Sequence, residues 1–254
     1  MLESLQRHDG WLQERNPVVK LLVLFGVIAV MLFVNDPWTP LFMVGLAGLL
    51  LRLLGAVPFK TFLMYLAPFS LFALSFLWIH TFFPGERGET VLFTLGPMTI
   101  ARENVMTGLA FGMRAMVFAS WSLLFIMTTE PSKLMLSLIQ HLRLPARYGY
   151  GIMAAYRFLP ILQEELRTIR AAHRIRGLGE SGGIRGKWNE IKRYAIPLLA
   201  GAIRKADRVA IAMESKGFDD SRDRVFYREI RFTVHDVLYG LLMFALLAAV
   251  LYFK

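Results

Sequence analysis

An all-α membrane protein, with about five transmembrane helices and a cytoplasmic region of about three more, is the fold class the sequence predicts. Three observations carry that expectation. Hydrophobic residues make up 56% of the chain and the mean hydropathy is +0.47, yet the formal net charge is +10. One globular domain seldom combines these, unless lipid takes the apolar part and the charge sits elsewhere. Several apolar runs approach the roughly 20 residues that a helical bilayer crossing needs. Finally, the excess of positive charge is gathered in one long polar region near the C-terminal end.

The runs follow one another in order. Met1 to Lys20 is polar, of mixed charge, and has no A-x-A-like cleavage site before the first apolar segment, so that segment is expected to be a retained helix. It covers Leu21 to Val34 and ends at the Asn35-Asp36-Pro37 turn. Trp38 to Leu54 follows, with Arg52 near its end, and then Phe62 to Phe83, with His80 near its far end. Pro84 to Glu103 is polar, alternates on both sides of Gly96-Pro97, and predicts a short hairpin. Val105 to Thr128 is the fourth run and Val237 to Phe253 the last. Five spans fit, with the first and last drawing on their flanks.

Between the last two runs no segment is long enough to cross. Glu130-Pro131-Ser132 predicts a helix start, and the helix should stop near Leu142, before Leu144-Pro145. Ala146 to Gly177 reads as helix, broken or bent at Pro160. Gly179 to Gly186 reads as a loop. Trp188 to Tyr194 and a second rod from Pro197 come next, and Asp219 to Arg228 is a charged connector. The expected division is residues 1–129 with four spans, 130–231 outside the bilayer, and 232–254 with the last span.

Charge sets the expected orientation. Gln140 to Arg231 holds 19 of the 29 Lys and Arg against 10 of the 19 acids, which is +9 of the +10. Cationic loops stay inside, so the N-terminus and the basic region are expected in the cytoplasm of a plasma-membrane protein. The Asn35 and Pro84 loops, and after five crossings the C-terminus, are expected outside.

The basic region contains a repeat. Displaced by forty residues, Leu162, Leu166, Ile169, His173 and Arg176 fall on Ala202, Ala206, Val209, Met213 and Lys216. That 4,3,4,3 spacing is one face of an α-helix. Each face ends in a cation followed by Gly177 or Gly217, a residue suited to the left-handed turn that closes a helix. The larger stripe (Leu162, Leu166, Ile169) and the smaller one (Ala202, Ala206, Val209) suit close packing, with His173 and Met213 continuing them. Arg174 lies off the stripe, and Arg167, Arg170 and Arg174 form a cationic stripe of their own, facing water or anionic lipid headgroups.

Other signals bound the chemistry. With no cysteine, disulfides and thiolate chemistry are excluded. The five histidines form no HxH or HExxH pair, so no metal centre is expected. No GxxxxGK[ST] phosphate loop occurs, and no nucleic-acid motif accompanies the charge. Gly108 and Gly112 form a GxxxG pattern that permits close helix approach. Arg114, nine residues into the fourth run, must find a partner or reach water. Gly108, Gly112 and Arg114 are candidates for contact with another membrane subunit, with a purely structural role for Arg114 equally open.

Taken together, Asn16-Pro17-Val18-Val19-Lys20-Leu21, Thr128-Thr129-Glu130-Pro131, Leu144-Pro145, Arg157-Phe158-Leu159-Pro160 and the paired endings resemble the transmembrane T component of energy-coupling factor transporters. The resemblance spans nearly the whole chain. It departs in the second ending, Ser215-Lys216-Gly217, where the family pattern has arginine; lysine keeps the charge but not the planar two-pronged donor. The resemblance implies a non-catalytic subunit that couples two cytoplasmic ABC-type ATPase subunits to a small hydrophobic substrate-binding membrane subunit. It implies ATPase docking by Arg176-Gly177 and Lys216-Gly217, assisted by Arg174, with ATP and Mg on the partner ATPases and no cofactor on this chain. The cargo implied is a vitamin, a vitamin precursor such as a thiamine-type pyrimidine, or a transition-metal ion. Two rival classes fit less well. A self-contained secondary carrier would duplicate its membrane halves, whereas this repeat lies outside the apolar runs. A membrane-embedded lipid-modifying enzyme would need clustered chemistry, and His80, Glu103 and Asp236 are scattered.

Overall fold

In a computed structural model, residues 10–83, 90–95, 98–177, 183–219 and 225–252 are described. The chain forms two compact units. One comprises Met1–Ser137 with Ile230–Lys254, the other Leu138–Glu229.

The first unit holds helices α1 (Trp11–Glu14), α2 (Pro17–Met31), α3 (Trp38–Leu53), α4 (Phe59–Phe82), α5 (Arg102–Thr128) and α9 (Val234–Tyr252). Strands β1 (Val91–Leu95) and β2 (Met98–Ala101) pair antiparallel, with Phe93 opposite Ile100. The hairpin expected there is present; its Gly96-Pro97 turn lies outside the described residues. Helices α4, α5 and α9 are long and apolar enough to cross a bilayer. α2 and α3, at 15 and 16 residues, are shorter apolar helices. At about 1.5 Å per residue they reach roughly 23 Å of a hydrocarbon layer of about 30 Å. Both are clipped by polar caps. Asn16 accepts from the Val18 N–H at 3.0 Å to start α2, and Asp36 accepts from the Thr39 N–H at 2.7 Å where α3 begins.

One face of each helix makes the core. Val23, Val27 and Met31 of α2 meet Met43, Ala47 and Leu51 of α3, Val117, Trp121 and Leu124 of α5, and Met243 and Leu247 of α9 in one buried cluster. The Trp121 indole donates to the Met43 carbonyl at 3.2 Å, so its one polar atom is satisfied in apolar surroundings. The opposite faces carry bare Phe25, Leu49, Leu71, Trp78 and Leu241, as lipid-facing helices do.

Gly108 and Gly112 are buried against α4. A Cβ at Gly112 would stand 2.7 Å from the Ala73 carbonyl oxygen, and one at Gly108 3.1 Å from Leu77 Cα. The GxxxG pattern thus serves an internal α4–α5 contact, which leaves neither glycine free to meet another subunit. Gly112→Leu is expected to destabilise by about 3 kcal/mol by wedging α4 off α5. Gly45→Leu, with open space around Gly45, should change stability by less than about 0.5 kcal/mol; thermal unfolding in detergent separates the two. Arg114 also turns inward. Its guanidinium donates to the Val34 carbonyl and, at 3.3 Å, to Asn35 Oδ1, and it stacks 4.9 Å from the Phe111 ring. Carbonyl and amide oxygens just past the end of α2 supply the partners that a cation in a span requires.

A polar knot closes the other end of this unit. Lys20 is buried and its amine donates to the carbonyls of Leu12 (3.1 Å) and Thr128 (2.7 Å). α1 is pinned by Leu12 N–H to Leu54 O (2.9 Å) and by the Gln13 amide to Gly55 O (2.6 Å). Arg15 lies over the Trp11 ring at 4.4 Å and 3.9 Å from the Asp236 carboxylate.

α6 (Pro131–His141) contains the unit boundary, after Ser137. The second unit holds α7 (Ala146–Ile175) and α8 (Gly183–Ser215). Both run unbroken through a proline, Pro160 in α7 and Pro197 in α8. Of the interruption or bend expected at Pro160, the interruption is absent, and the second rod starts well before Pro197. A proline removes one backbone bond, and a helix of 30 or 33 residues packed along a neighbour keeps the rest. The loop expected at Gly179 to Gly186 is shorter, since helix resumes at Gly183; residues 178–182 and 220–224 lie outside the described set.

Candidate functional site: two glycine-closed helix tips

Each long helix of the second unit packs by one face. On α7, Leu162, Glu165, Leu166, Ile169 and His173 are half-buried while their neighbours are exposed. On α8 the matching face is Tyr194, Leu198, Gly201, Ala202, Lys205, Val209 and Met213. Ala206 is exposed, contrary to the expected stripe, because Lys205 takes the packed position and pairs with Glu165. Gly201 makes room for that carboxylate; a Cβ there would lie 2.7 Å from Glu165 Oε1.

Four contacts set the direction. The Tyr150 ring meets Phe218 at 5.7 Å, Glu165 pairs with Lys205, the Arg170 guanidinium lies 5.6 Å from the Tyr194 ring, and the His173 ring lies 5.6 Å from it. As the α7 number rises the α8 number falls, so the helices are antiparallel. Tyr194 donates its hydroxyl to Glu190 at 3.1 Å. Desolvation and that bond hold the phenol above its ordinary range, so it stays a neutral donor.

The tips sit at opposite ends of this pair. Gly177 and Gly217 have φ of +70° and +78°, a backbone region where a side chain is strained. The Gly177 N–H donates to Arg174 O at 3.1 Å, and the Gly217 N–H to Glu214 O at 2.9 Å. Phe218 N–H adds a bond to Met213 O at 2.9 Å, completing a Schellman closure on the second helix. A Cβ on either glycine would meet nothing within 4 Å, so conformation and not crowding is what calls for glycine. Arg176, Lys216, Arg174 and Ile175 are all exposed. Among the described residues neither Arg176 nor Lys216 is paired to a carboxylate. Lys216 lies near the level of Tyr150, and Arg176 is 26 residues further along α7. At about 1.5 Å per residue that separates the tips by roughly 39 Å.

One face was not singled out from the sequence. Ile196, Leu199 and Ile203 on α8 are 61–69% exposed and fall at helical spacing. Their 3,4 periodicity was the available signal, masked by the neighbouring packed stripe. Among the described residues, no three His, Asp or Glu side chains gather as metal ligands.

Comparison with known proteins gives a consistent result. The model of the family described as "CbiQ: Cobalt transport protein" matches residues 8–227. The chain is 28% identical to a protein of Streptococcus thermophilus, over 97% of this chain and 95% of that one. It is 28% identical to one of Leuconostoc gelidum subsp. gasicomitatum, over 87% and 84%. A third, from Staphylococcus aureus, is 26% identical over 91% and 88%. All three are named energy-coupling factor transporter transmembrane protein EcfT.

Proposed function

The chain belongs to the CbiQ family of cobalt transport proteins, and from that premise we propose that it is the transmembrane coupling component of an energy-coupling factor importer. Its relatives' name supports the component type. The observation that carries the mechanism is the pair of bare, cationic, glycine-closed tips, facing away from each other on antiparallel helices. Tips roughly 39 Å apart suit two separate partners better than one. We assign these partners as two ABC-type ATPase subunits, since this chain has no phosphate loop of its own. Arg176 and Lys216 each offer a charge at a helix C-terminus, held by the backbone dipole and aimed at a carboxylate-lined groove. Gly177 and Gly217 close each rod by backbone bonds, leaving the cation at its end exposed.

Motion entering at a tip passes along α7 and α8, which the Glu165–Lys205 pair and the Tyr150–Phe218 contact hold together. The bare Ile196-Leu199-Ile203 stripe matches the chemistry of a small hydrophobic substrate-binding subunit. In this account the N-terminus and the second unit are cytoplasmic, five crossings place the C-terminus outside, and ATP and Mg bind the partners. The cargo is a vitamin, a vitamin precursor or a transition-metal ion; the family's description favours the metal. The chain itself catalyses nothing.

Purification of tagged protein in mild detergent tests this. Two ATP-binding chains and a small hydrophobic chain are expected to accompany it in fixed proportion. A lone chain that moves substrate without them would contradict the proposal and favour a secondary carrier.

A further inference from the structure

The N-terminal Asn-Pro-Val-Val-Lys segment has no part in the tips, yet its Asn16 is bonded to Ser137, the residue at which the chain leaves the first unit. The second unit is tied to the first by two covalent crossings, Ser137–Leu138 and Glu229–Ile230. On the first-unit side of both, hydrogen bonds lead to one buried pair. Ser137 Oγ donates to Asn16 Oδ1 at 2.7 Å, and the Asn16 N–H donates to Asp236 Oδ1 at 3.0 Å. Asp236 Oδ2 accepts from the Thr233 N–H and hydroxyl, both at 2.8 Å, and Arg15 donates to the Thr233 hydroxyl at 3.2 Å. Asn16, Ser137 and Asp236 are 2%, 0% and 1% exposed.

Helix capping accounts for only part of this. Asn16 caps α2 through Val18, and the Asp236 side chain reaches back to the Thr233 N–H and hydroxyl at the start of α9. The two bonds that cross 121 and 220 residues of sequence, Ser137 to Asn16 and Asn16 to Asp236, are needed by neither cap. They join α6, α2 and α9, with Ser137 at the entry crossing and Asp236 six residues after Ile230 at the return crossing. Buried hydrogen bonds of this kind are stiff, because opening one strands a donor without water.

We propose that Asn16, Ser137 and Asp236 are positioning residues forming one clamp, which holds both crossings to α2 and α9 so that the second unit's movement shifts those spans as one body. The inference rests on the coupling role proposed above. Since the chain has no cysteine, spin labels can be placed cleanly at Leu71→Cys on α4, outside the clamp, and Leu241→Cys on α9, both exposed. In the assembled complex in lipid nanodiscs, ATP is expected to change the label-to-label distance. Asn16→Ala and the milder Ser137→Ala should reduce that change about threefold or more, with the ATPase chains still attached and hydrolysing ATP. Asn16→Asp keeps the accepting oxygen and should restore it. A full-sized change in both alanine variants overturns the clamp, as does failure of Asn16→Asp to rescue. Loss of the ATPase chains from Ser137→Ala complexes also overturns it, by assigning the bonds to folding alone. No ATP-driven change in the otherwise unaltered complex would instead overturn the coupling role itself.

Discussion

Arg176→Ala is expected to weaken attachment of one ATPase chain by about 30-fold or more, the loss of roughly 2 kcal/mol typical of an interfacial arginine anchor. The side chain is exposed and the helix is closed by Gly177 through backbone bonds, so the substitution removes a contact without disturbing the fold. Lys216→Ala should cost less, because an ammonium lacks the fork that grips a carboxylate with two parallel bonds. Lys216→Arg is therefore expected to tighten attachment, and Arg176→Lys to loosen it. With the tips roughly 39 Å apart, the two losses should add. Pull-down of the ATPase chains by single and double variants measures all of these; equal retention by the double alanine variant would remove the tips from the interface.

Asp236→Ala is expected to be the most destabilising single change near the polar knot, by about 3–5 kcal/mol. The carboxylate accepts three bonds and stands 3.9 Å from Arg15, itself buried. Deleting it strands the backbone N–H groups of Asn16 and Thr233 and removes a counter-charge from the Arg15 guanidinium, which keeps its bonds to Trp11 O, Thr233 Oγ1 and Glu14. Asp236→Asn keeps the shape and should lose about 1–2 kcal/mol. Lys20→Met offers the contrast: it takes a donor from the carbonyls of Thr128 and Leu12, the latter still accepting from the Arg15 N–H, but it also removes a buried charge, so the net loss should stay under about 2 kcal/mol. Unfolding midpoints in one detergent rank the three, and a Lys20→Met loss larger than that of Asp236→Ala would contradict the ordering.

The parts of this molecule that depend on local pattern were legible in the sequence. Each apolar run became a helix with ends a few residues from those expected, since Asn16-Pro17, Asn35-Asp36-Pro37 and Glu130-Pro131 act on the backbone beside them. Gly177 and Gly217 adopted the left-handed turns that their place after a cationic helix end implied. What depends on distant partners was not legible. Arg114 finds its acceptors some 80 residues back, at Val34 and Asn35. Gly108 and Gly112 read equally well as an external contact until Ala73 and Leu77 are seen against them. Ala206 yields to Lys205 because Glu165 stands opposite, which a repeat within each helix does not encode. The prolines acted in the other direction: Pro160 argues locally for an interruption and Pro197 for a helix start, and helix runs through both along its neighbour.

Capture by a photo-crosslinking residue placed at Ile175 or Ser215, beside the two tips in the assembled complex, tests the two-partner claim most directly. Each position is expected to trap an ATP-binding chain, and a molecule carrying both labels is expected to trap two. Capture of lipid alone, or of a single chain bridging both positions, would contradict it.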